Sequence, residues 1–264
     1  MKNNPLVSIL ITNYNGEKFI KRCLNSCINQ TFKNKEIIFV DDVSDDSSIY
    51  QASKFKKVFL IKNKKKKYNY GSFNQIHSLE KAFKISKGEV ICLLDSDDFF
   101  KKNKILEVVN FLNKNPSKNF VIDLPIIYHN KNNKYPLKFK KKEFNISSIW
   151  PKFTQTSCMS MKRNFCKQAL RDVGFVKFSN IWMDFRISVF AFYVKKNFNV
   201  LNAHLTYYFQ NPNNVSSNFK KFSKNWWLRR EEAHKYMKFY FKRKNLNFKY
   251  GIDFLVTKII KKIF

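Results

Sequence analysis

Acidic residues are scarce in this chain: 19 Asp and Glu stand against 51 Lys and Arg, a formal net charge of +32 over 264 residues. Glycine and proline are also rare, at five and six, and no glycine-rich phosphate loop follows the first apolar run. Long apolar runs are missing as well. The longest, residues 187–194, falls far short of the ~20 residues that a helix needs to span a bilayer, so no membrane crossing is expected. No basic-then-apolar leader ending in small residues precedes the apolar run at residues 6–12, which gives no secretion signal. The expected location is the cytoplasm, with peripheral attachment at the inner face of the cytoplasmic membrane as an extension. The five cysteines, Cys23, Cys27, Cys92, Cys158 and Cys166, are odd in number and lack the paired short spacings of a zinc site. They are expected to be reduced and to sit in the core.

Material for a core is plentiful. Apolar residues make up 44% and aromatics 17%, with 29 Phe, which excludes a disordered chain. The length suits one large domain, or one domain with an appendage. The positive charge points toward polyanions, because clustered lysines bind phosphates by releasing counterions. Part of it is compositional, since Lys, Asn, Ile and Phe are used heavily everywhere, as an AT-rich genome would dictate. The remainder suits an anionic membrane surface or a phosphate-bearing substrate. Nucleic acid is not expected as a partner: only the charge and the mixing of Lys with aromatics favour it, and it leaves the acidic loops described next unexplained.

From residue 6 to 123, short apolar runs alternate with helical patterns, the signature of strands joined by crossover helices in a mostly parallel sheet. Strands are predicted at 7–12, 36–40, 58–61, 90–94 and 120–124. Phe19, Ile20, Cys23, Leu24, Cys27 and Ile28 recur at helical spacing, with Asn15 as N-cap. Further helices are predicted near 47–56 and 72–86, the latter ending before Gly88. Beyond 150 the pattern blurs into a strand at 155–161 and helices near 163–171 and 181–194. The Lys-rich stretches 62–70 and 129–143 read as mobile surface loops. The fold class is α/β, a Rossmann-like, mostly parallel sheet flanked by helices, with a basic and aromatic helical tail.

Ligands of such sheets bind beyond the carboxyl ends of the strands. There the chain places Thr12-Asn13-Tyr14-Asn15, then Asp41-Asp42-Val43-Ser44-Asp45-Asp46, then Asp95-Ser96-Asp97-Asp98. So basic a protein concentrates its negative charge in two loops, and like charges repel unless something positive lies between them. Asp-x-Asp at a strand end suits a hard divalent cation, Mg2+ or Mn2+, with substrate phosphates and water completing the shell. Such an ion would act as a Lewis acid on a leaving diphosphate. Against this stands the ordinary taste of Asp and Ser for turns and helix caps.

Those three segments, together with Asn29-Gln30-Thr31-Phe32 and the strand Glu36-Ile37-Ile38-Phe39-Val40 that leads into the second, resemble the inverting family 2 glycosyltransferases of GT-A fold over residues 5–125. The resemblance implies that Thr12, Asn13, Tyr14, Asn15, Asp41, Asp42, Asp95 and Ser96 bind a nucleotide-sugar donor. It also implies that Asp95 and Asp97 hold Mn2+ or Mg2+, with Asp98 a further candidate, and that one lysine of 62–67 pairs with phosphate. The acceptor would be a hydroxyl of a cell-envelope glycan or lipid-linked molecule. Residues 1–220 would form the GT-A domain, with 1–125 its donor half and 126–220 its acceptor half, and 221–264 a basic amphipathic helical region. An acceptor-side base is needed. Ile181-Trp182-Met183-Asp184 after Val173-Gly174-Phe175 resembles the family's acidic segment and makes Asp184 that base. The alternative is a structural pair with Arg186 or Arg171. The chain departs from the family where Met183 replaces a common Glu, and where Phe209 and Asn211 stand in a segment that often carries Arg and His. His204 lies close by but offset. A sugar nucleotidyltransferase on a similar sheet is disfavoured by the missing glycine-rich loop. A domain that binds donor without transferring it stays open.

In the tail, Leu255, Ile259, Ile260 and Ile263 share one face of a predicted helix, with Lys258, Lys261 and Lys262 largely opposite. That pattern suits a helix on an anionic surface. Trp226, Trp227, Tyr236, Phe239 and Tyr240 suit either a bilayer interface or the core of the domain itself.

Overall fold

The computed structural model describes residues 4–137, 154–210, 219–261 and 263. The first half follows the predicted alternation: β1 (Val7–Asn13), α1 (Glu17–Ile28), β2 (Lys35–Asp41), α2 (Ser48–Ser53), β3 (Phe59–Lys62), α3 (Gly71–Ile85) and β4 (Val90–Asp95). These four strands are parallel in the order β3-β2-β1-β4. The chain therefore starts in the middle, winds outward one way, then returns to the other side of β1. Both faces of this part are covered, so its strands read as nearly continuous apolar runs. Val7, Ile9 and Ile11 share a core with Ile20, Cys23, Leu24 and Cys27 of α1. Leu10 packs instead with Ile76, Leu79 and Ala82 of α3. All five cysteines are buried thiols.

The second half is β5 (Phe99–Phe100), α4 (Lys104–Lys114), β6 (Phe120–Tyr128), β7 (Lys134–Pro136), β8 (Met159–Lys162), α5 (Arg163–Val173), α6 (Met183–Val189), β9 (Asn199–Phe209), α7 (Lys224–Arg243) and α8 (Ile252–Lys261). β8 runs antiparallel between β4 and β6, β9 runs parallel to β6, and β5 closes on β9. From the end of β4 to the start of β5 the chain reaches at most about 14 Å. Across a flat sheet the four strand spacings between them would need about 19 Å. The sheet must coil, and coiling brings the end of β9 back beside the loop after β4. Phe209 N seals the join by donating to Asp98 Oδ1 at 2.8 Å.

The structure differs from the sequence expectations at several points. α1 is capped by Gly16, not Asn15. Asn15 sits at φ 50° and instead accepts from Asp45 N at 3.1 Å, tying the first polar loop to the second. α4 is the helix that the alternation of strands and helices implies between 94 and 120, where no bounds are predicted; its Ile105, Val108, Val109 and Leu112 are spaced for a helix and buried. Within the stretch 129–143, residues Lys134–Pro136 pair with β6 as an edge strand, and 138–143 lie outside the described residues. The helix expected at 181–194 begins at Met183 and finishes in a π-helical turn, Phe190–Val194. In the tail, Trp227, Tyr236 and Tyr240 are buried. Tyr236 and Tyr240 pack with Ile181, Phe185 and Val189 in a third core cluster, so these aromatics complete the protein's own core. No helix among the described residues is long and apolar enough to cross a membrane.

Candidate active site

Strand register builds the site. In the parallel ladder Asn13 of β1 lies opposite Asp41 of β2, and Thr12 lies opposite Asp95 of β4. Three neighbouring strands thus present polar residues at one carboxyl edge, at the point where the winding changes direction, which is where open α/β sheets bind ligands. A cleft of about 660 Å³ opens there, lined by Thr12, Asn13, Tyr14, Asn15, Asp42, Asp95, Ser96, Asp97 and Asp184 among others. Gly16 lets the loop close over this edge, because a Cβ on it would collide with Asn13 Oδ1 and Ser96 Oγ.

Of the residues the sequence singled out, Asp41 is not among those lining the cleft. It is fully buried and accepts from Asn13 Nδ2 at 2.7 Å, Ser44 Oγ at 2.6 Å and Ser44 N at 2.9 Å. Asp46 accepts from Glu17 N at 3.0 Å and Ser48 N at 2.9 Å, holding the starts of α1 and α2. The ordinary turn and cap chemistry therefore accounts for these two carboxylates. Asp42 does face the cleft, braced by Asn63 Nδ2 at 3.0 Å. Asp98 is buried under β9 and braces the coil. His204 and Phe209 do not line the cleft, Met183 is buried in the core, and Asn211 lies outside the described residues. From the lysine run, Lys66 lines the cleft, its Nζ 3.7 Å from the ring centre of Tyr14.

Asp95 accepts from Gln75 Nε2 at 2.8 Å and Thr12 Oγ1 at 3.2 Å. Burial and then the negative charge of Asp97, with a smaller push from Asp184, raise its carboxyl to about 7 against those two hydrogen bonds. Burial likewise raises Asp184, with the Arg229 guanidinium and the Phe185 N–H (2.7 Å) pulling the other way. The alternative pairing of Asp184 with Arg186 is not made. Arg186 spends its guanidinium on the carbonyls of Ile181, Val173, Phe175, Lys177 and Phe178. A buried carboxyl raised by the charge of its neighbours, as Asp95 is, fits a cation. No group of three or more His, Cys, Asp or Glu suited to a metal gathers among the described residues, so an ion here would rest on Asp95 and Asp97 and take further oxygens from phosphate and water, as Mg2+ and Mn2+ do. Arg22 of α1 steadies this loop from below. It donates to Asp97 O at 2.8 Å, and its guanidinium lies 4.5 Å, 4.9 Å and 5.0 Å from the ring centres of Phe99, Phe209 and Tyr128.

Sequence reasoning missed Gln75, Gln155, Trp182, Tyr208 and Arg229, which also line the cleft. Gln75 sits on the predicted third helix, and its position in the first turn at a strand-edge loop was the available signal. Tyr208 and Arg229 come from β9 and α7, whose return to the site depends on the coil of the sheet and has no local signature.

Comparison with known proteins agrees with this fold. Solved structures of similar fold include Staphylococcus aureus TarS 1–349 in complex with UDP-GlcNAc, with TM-score 0.62, 18% identity and coverage of 87% of this chain and 65% of that one. Another is a mannosyltransferase from Pyrobaculum calidifontis in complex with GDP-Man and Mn2+, with TM-score 0.59, 13% identity and coverage of 97% and 70%. Among curated relatives, an uncharacterized glycosyltransferase of Haemophilus influenzae is 38% identical over 119 residues, 44% of this chain and 35% of that protein. An Escherichia coli UDP-Glc:alpha-D-GlcNAc-diphosphoundecaprenol beta-1,3-glucosyltransferase is 38% identical over 109 residues, 40% of this chain and 41% of its own length. The matched stretch thus spans less than half of either relative. The sequence model described as "Glycosyl transferase family 2" matches residues 8–170, a stretch that runs from β1 into α5 and carries Asp42, Asp95 and Asp97. On that match, and on a GT-A sheet whose cleft gathers those carboxylates, the chain belongs to the family 2 glycosyltransferases.

Proposed function

We propose that the protein transfers a sugar, with inversion, from a nucleotide-sugar donor of the UDP type to a hydroxyl of a cell-envelope glycan or lipid-linked acceptor. The observation that carries the proposal is the convergence of Asp42, Asp95, Asp97 and Asp184, from three separate segments, on one cleft at the carboxyl edge of the sheet. The UDP-sugar bound by TarS and the lipid-linked acceptor named for the E. coli relative support the donor and acceptor classes.

In this reading Thr12, Asn13, Tyr14, Asn15 and Asp42 hold the base and ribose, and Ser96 sits at the turn beside them. Asp41 acts from behind, fixing Asn13. Asp95 and Asp97 would hold Mn2+ or Mg2+, which when bound neutralises charge on the departing diphosphate. Asp184 stands on the acceptor side. As the acceptor oxygen bonds to the anomeric carbon and the bond from that carbon to the diphosphate oxygen breaks, the hydroxyl proton passes to the Asp184 carboxylate. Residues 1–125 then serve the donor, 126–220 the acceptor, and 221–264 supply helices, of which α7 packs on α6 and contributes Arg229 to the cleft.

A thermal-shift panel of nucleotide sugars, with and without Mn2+, tests this. One donor should stabilise the protein only with metal, by about 2.7 kcal/mol at a hundredfold excess over its Kd, and Asp97→Ala should abolish the effect. Retained anomeric configuration in the transfer product would contradict the mechanism. Donor binding without any transfer or Asp97-dependent donor hydrolysis would leave a binding domain in its place.

A further inference from the structure

The last helix of the chain is turned inside out. An amphipathic helix on a soluble domain ordinarily buries its apolar stripe, but α8 docks through polar groups. Its buried residues are Asp253 and Thr257. Arg230 of α7 donates to Asp253 Oδ2 at 3.1 Å and to Thr257 Oγ1 at 3.0 Å, and Lys261 Nζ meets Glu231 Oε2 at 2.6 Å. The opposite side presents Ile252, Leu255, Val256 and Ile259, which are 56%, 57%, 41% and 62% exposed. Ile263, at 77%, continues the same side one turn on. At 100° per residue the four helical residues fall within about 100° of arc, a contiguous apolar strip, with exposed Lys258 on its flank. Tyr250, stacked on Phe254 at 3.8 Å, and exposed Lys249 stand at the entrance to the helix.

We propose that this face of α8 docks on an anionic lipid bilayer, lying in the plane of its surface. The polar seam with α7 fixes the orientation, so the apolar strip is held outward for a partner and not left there by poor packing. Two occupants would cover it, a bilayer or a second copy of the chain, and charge decides between them. A chain of net charge +32 repels its own copy and is drawn to anionic headgroups, which attract basic side chains near the surface by about one unit of RT or more each. Long lysines at the edge of the strip reach those headgroups while the aliphatic residues enter the acyl boundary. The proposal does not rest on the chemistry assigned to the cleft, and its readout is binding alone.

The test is flotation of the full chain with vesicles of phosphatidylglycerol and phosphatidylcholine, beside vesicles of phosphatidylcholine only. The protein should float with the anionic vesicles, and the exposed double substitution Leu255→Ser/Ile259→Ser should reduce partition at least about tenfold with its melting temperature unchanged. Lys258→Glu, which alters no packing, should weaken partition by about fivefold or more. Equal partition by the double variant, equal partition onto neutral vesicles, or no partition by the parent chain overturns the proposal. A dimer that the double variant dissociates, in a parent chain that ignores vesicles, would assign the face to a second copy.

Discussion

Replacing Lys104 with methionine tests how the floor of the cleft is held. Lys104 is fully buried, and so is Asp123 of β6. Lys104 Nζ donates at 2.6 Å to each of Asp123 Oδ1, Ser157 O and Thr206 Oγ1, while Thr206 Oγ1 donates to Asp123 Oδ2 at 2.7 Å. Four segments meet on one ammonium. Ser157 in turn accepts from Asp95 N at 3.0 Å through its Oγ, so the cluster reaches the backbone of the Asp95 loop. Lys104→Met keeps the volume and leaves the Asp123 carboxylate buried without its cation, a loss of about 3–5 kcal/mol from a fold of about 5–15. In melting temperature that is a drop of about 6–20 °C. The loss should depend on pH in one direction. Burial pushes Asp123 up and Lys104 pulls it back, so in the variant the folded carboxyl rises further above its unfolded value of about 3.9. The penalty is then absent below that value and grows as pH rises through it. Calorimetry should show a large deficit near neutral pH that shrinks toward pH 4, and Lys104→Met/Asp123→Leu should recover much of it. A single variant within about 1 kcal/mol of the parent at neutral pH, or a deficit that deepens on acidification, would refute the reasoning.

The other expectations concern turnover. Asp184→Asn should lower kcat by about 10²–10⁴ with donor affinity retained, as read by single-turnover kinetics and donor titration; near-normal kcat would remove Asp184 from the role. Because Asp184 must be ionised to take the proton and burial raises it, kcat should fall with acid at a pH above that of an ordinary aspartate. Arg229→Gln removes the largest opposing influence and should move that limb to higher pH; an unmoved limb would show that Arg229 does not act on Asp184. Arg22→Met should raise the Mn2+ concentration needed for half-maximal activity by about tenfold, with Arg22→Lys intermediate, and an unchanged metal dependence would show that the contact with Asp97 O has no bearing on the ion.

The wall of the cleft built by β1 to β4 was legible because it is local. Each strand from β1 to β4 announces itself by an apolar run, each run ends in polar residues, and parallel register then brings Thr12, Asn13, Asp41 and Asp95 to one edge, with Asp42 one residue beyond β2. What the pattern does not separate is a carboxylate facing the cleft from one behind it. Asp41 ends β2 and Asp42 opens the loop that follows it, and only the second of these neighbours reaches the cleft. The opposite wall was harder, because β8, β6 and β9 join by non-local pairing and Arg229 arrives from a helix whose aromatics suited a bilayer as well as a core. α4 carried its own helical spacing and was readable.

The polar atoms at the carboxyl edge are continuous with strands whose side chains fill both cores. Slipping β4 against β1 by a single residue would send Leu94 to the wrong face as surely as it would turn Asp95 from the cleft. Alignment of the cleft is thus inherited from hydrophobic registry, and whatever force melts the one must scatter the other. Redesign of sugar or acceptor preference has its freedom elsewhere, among Gln155, Trp182, Tyr208 and Arg229, whose supports pack later in the chain and can be repacked without unzipping the parallel strands.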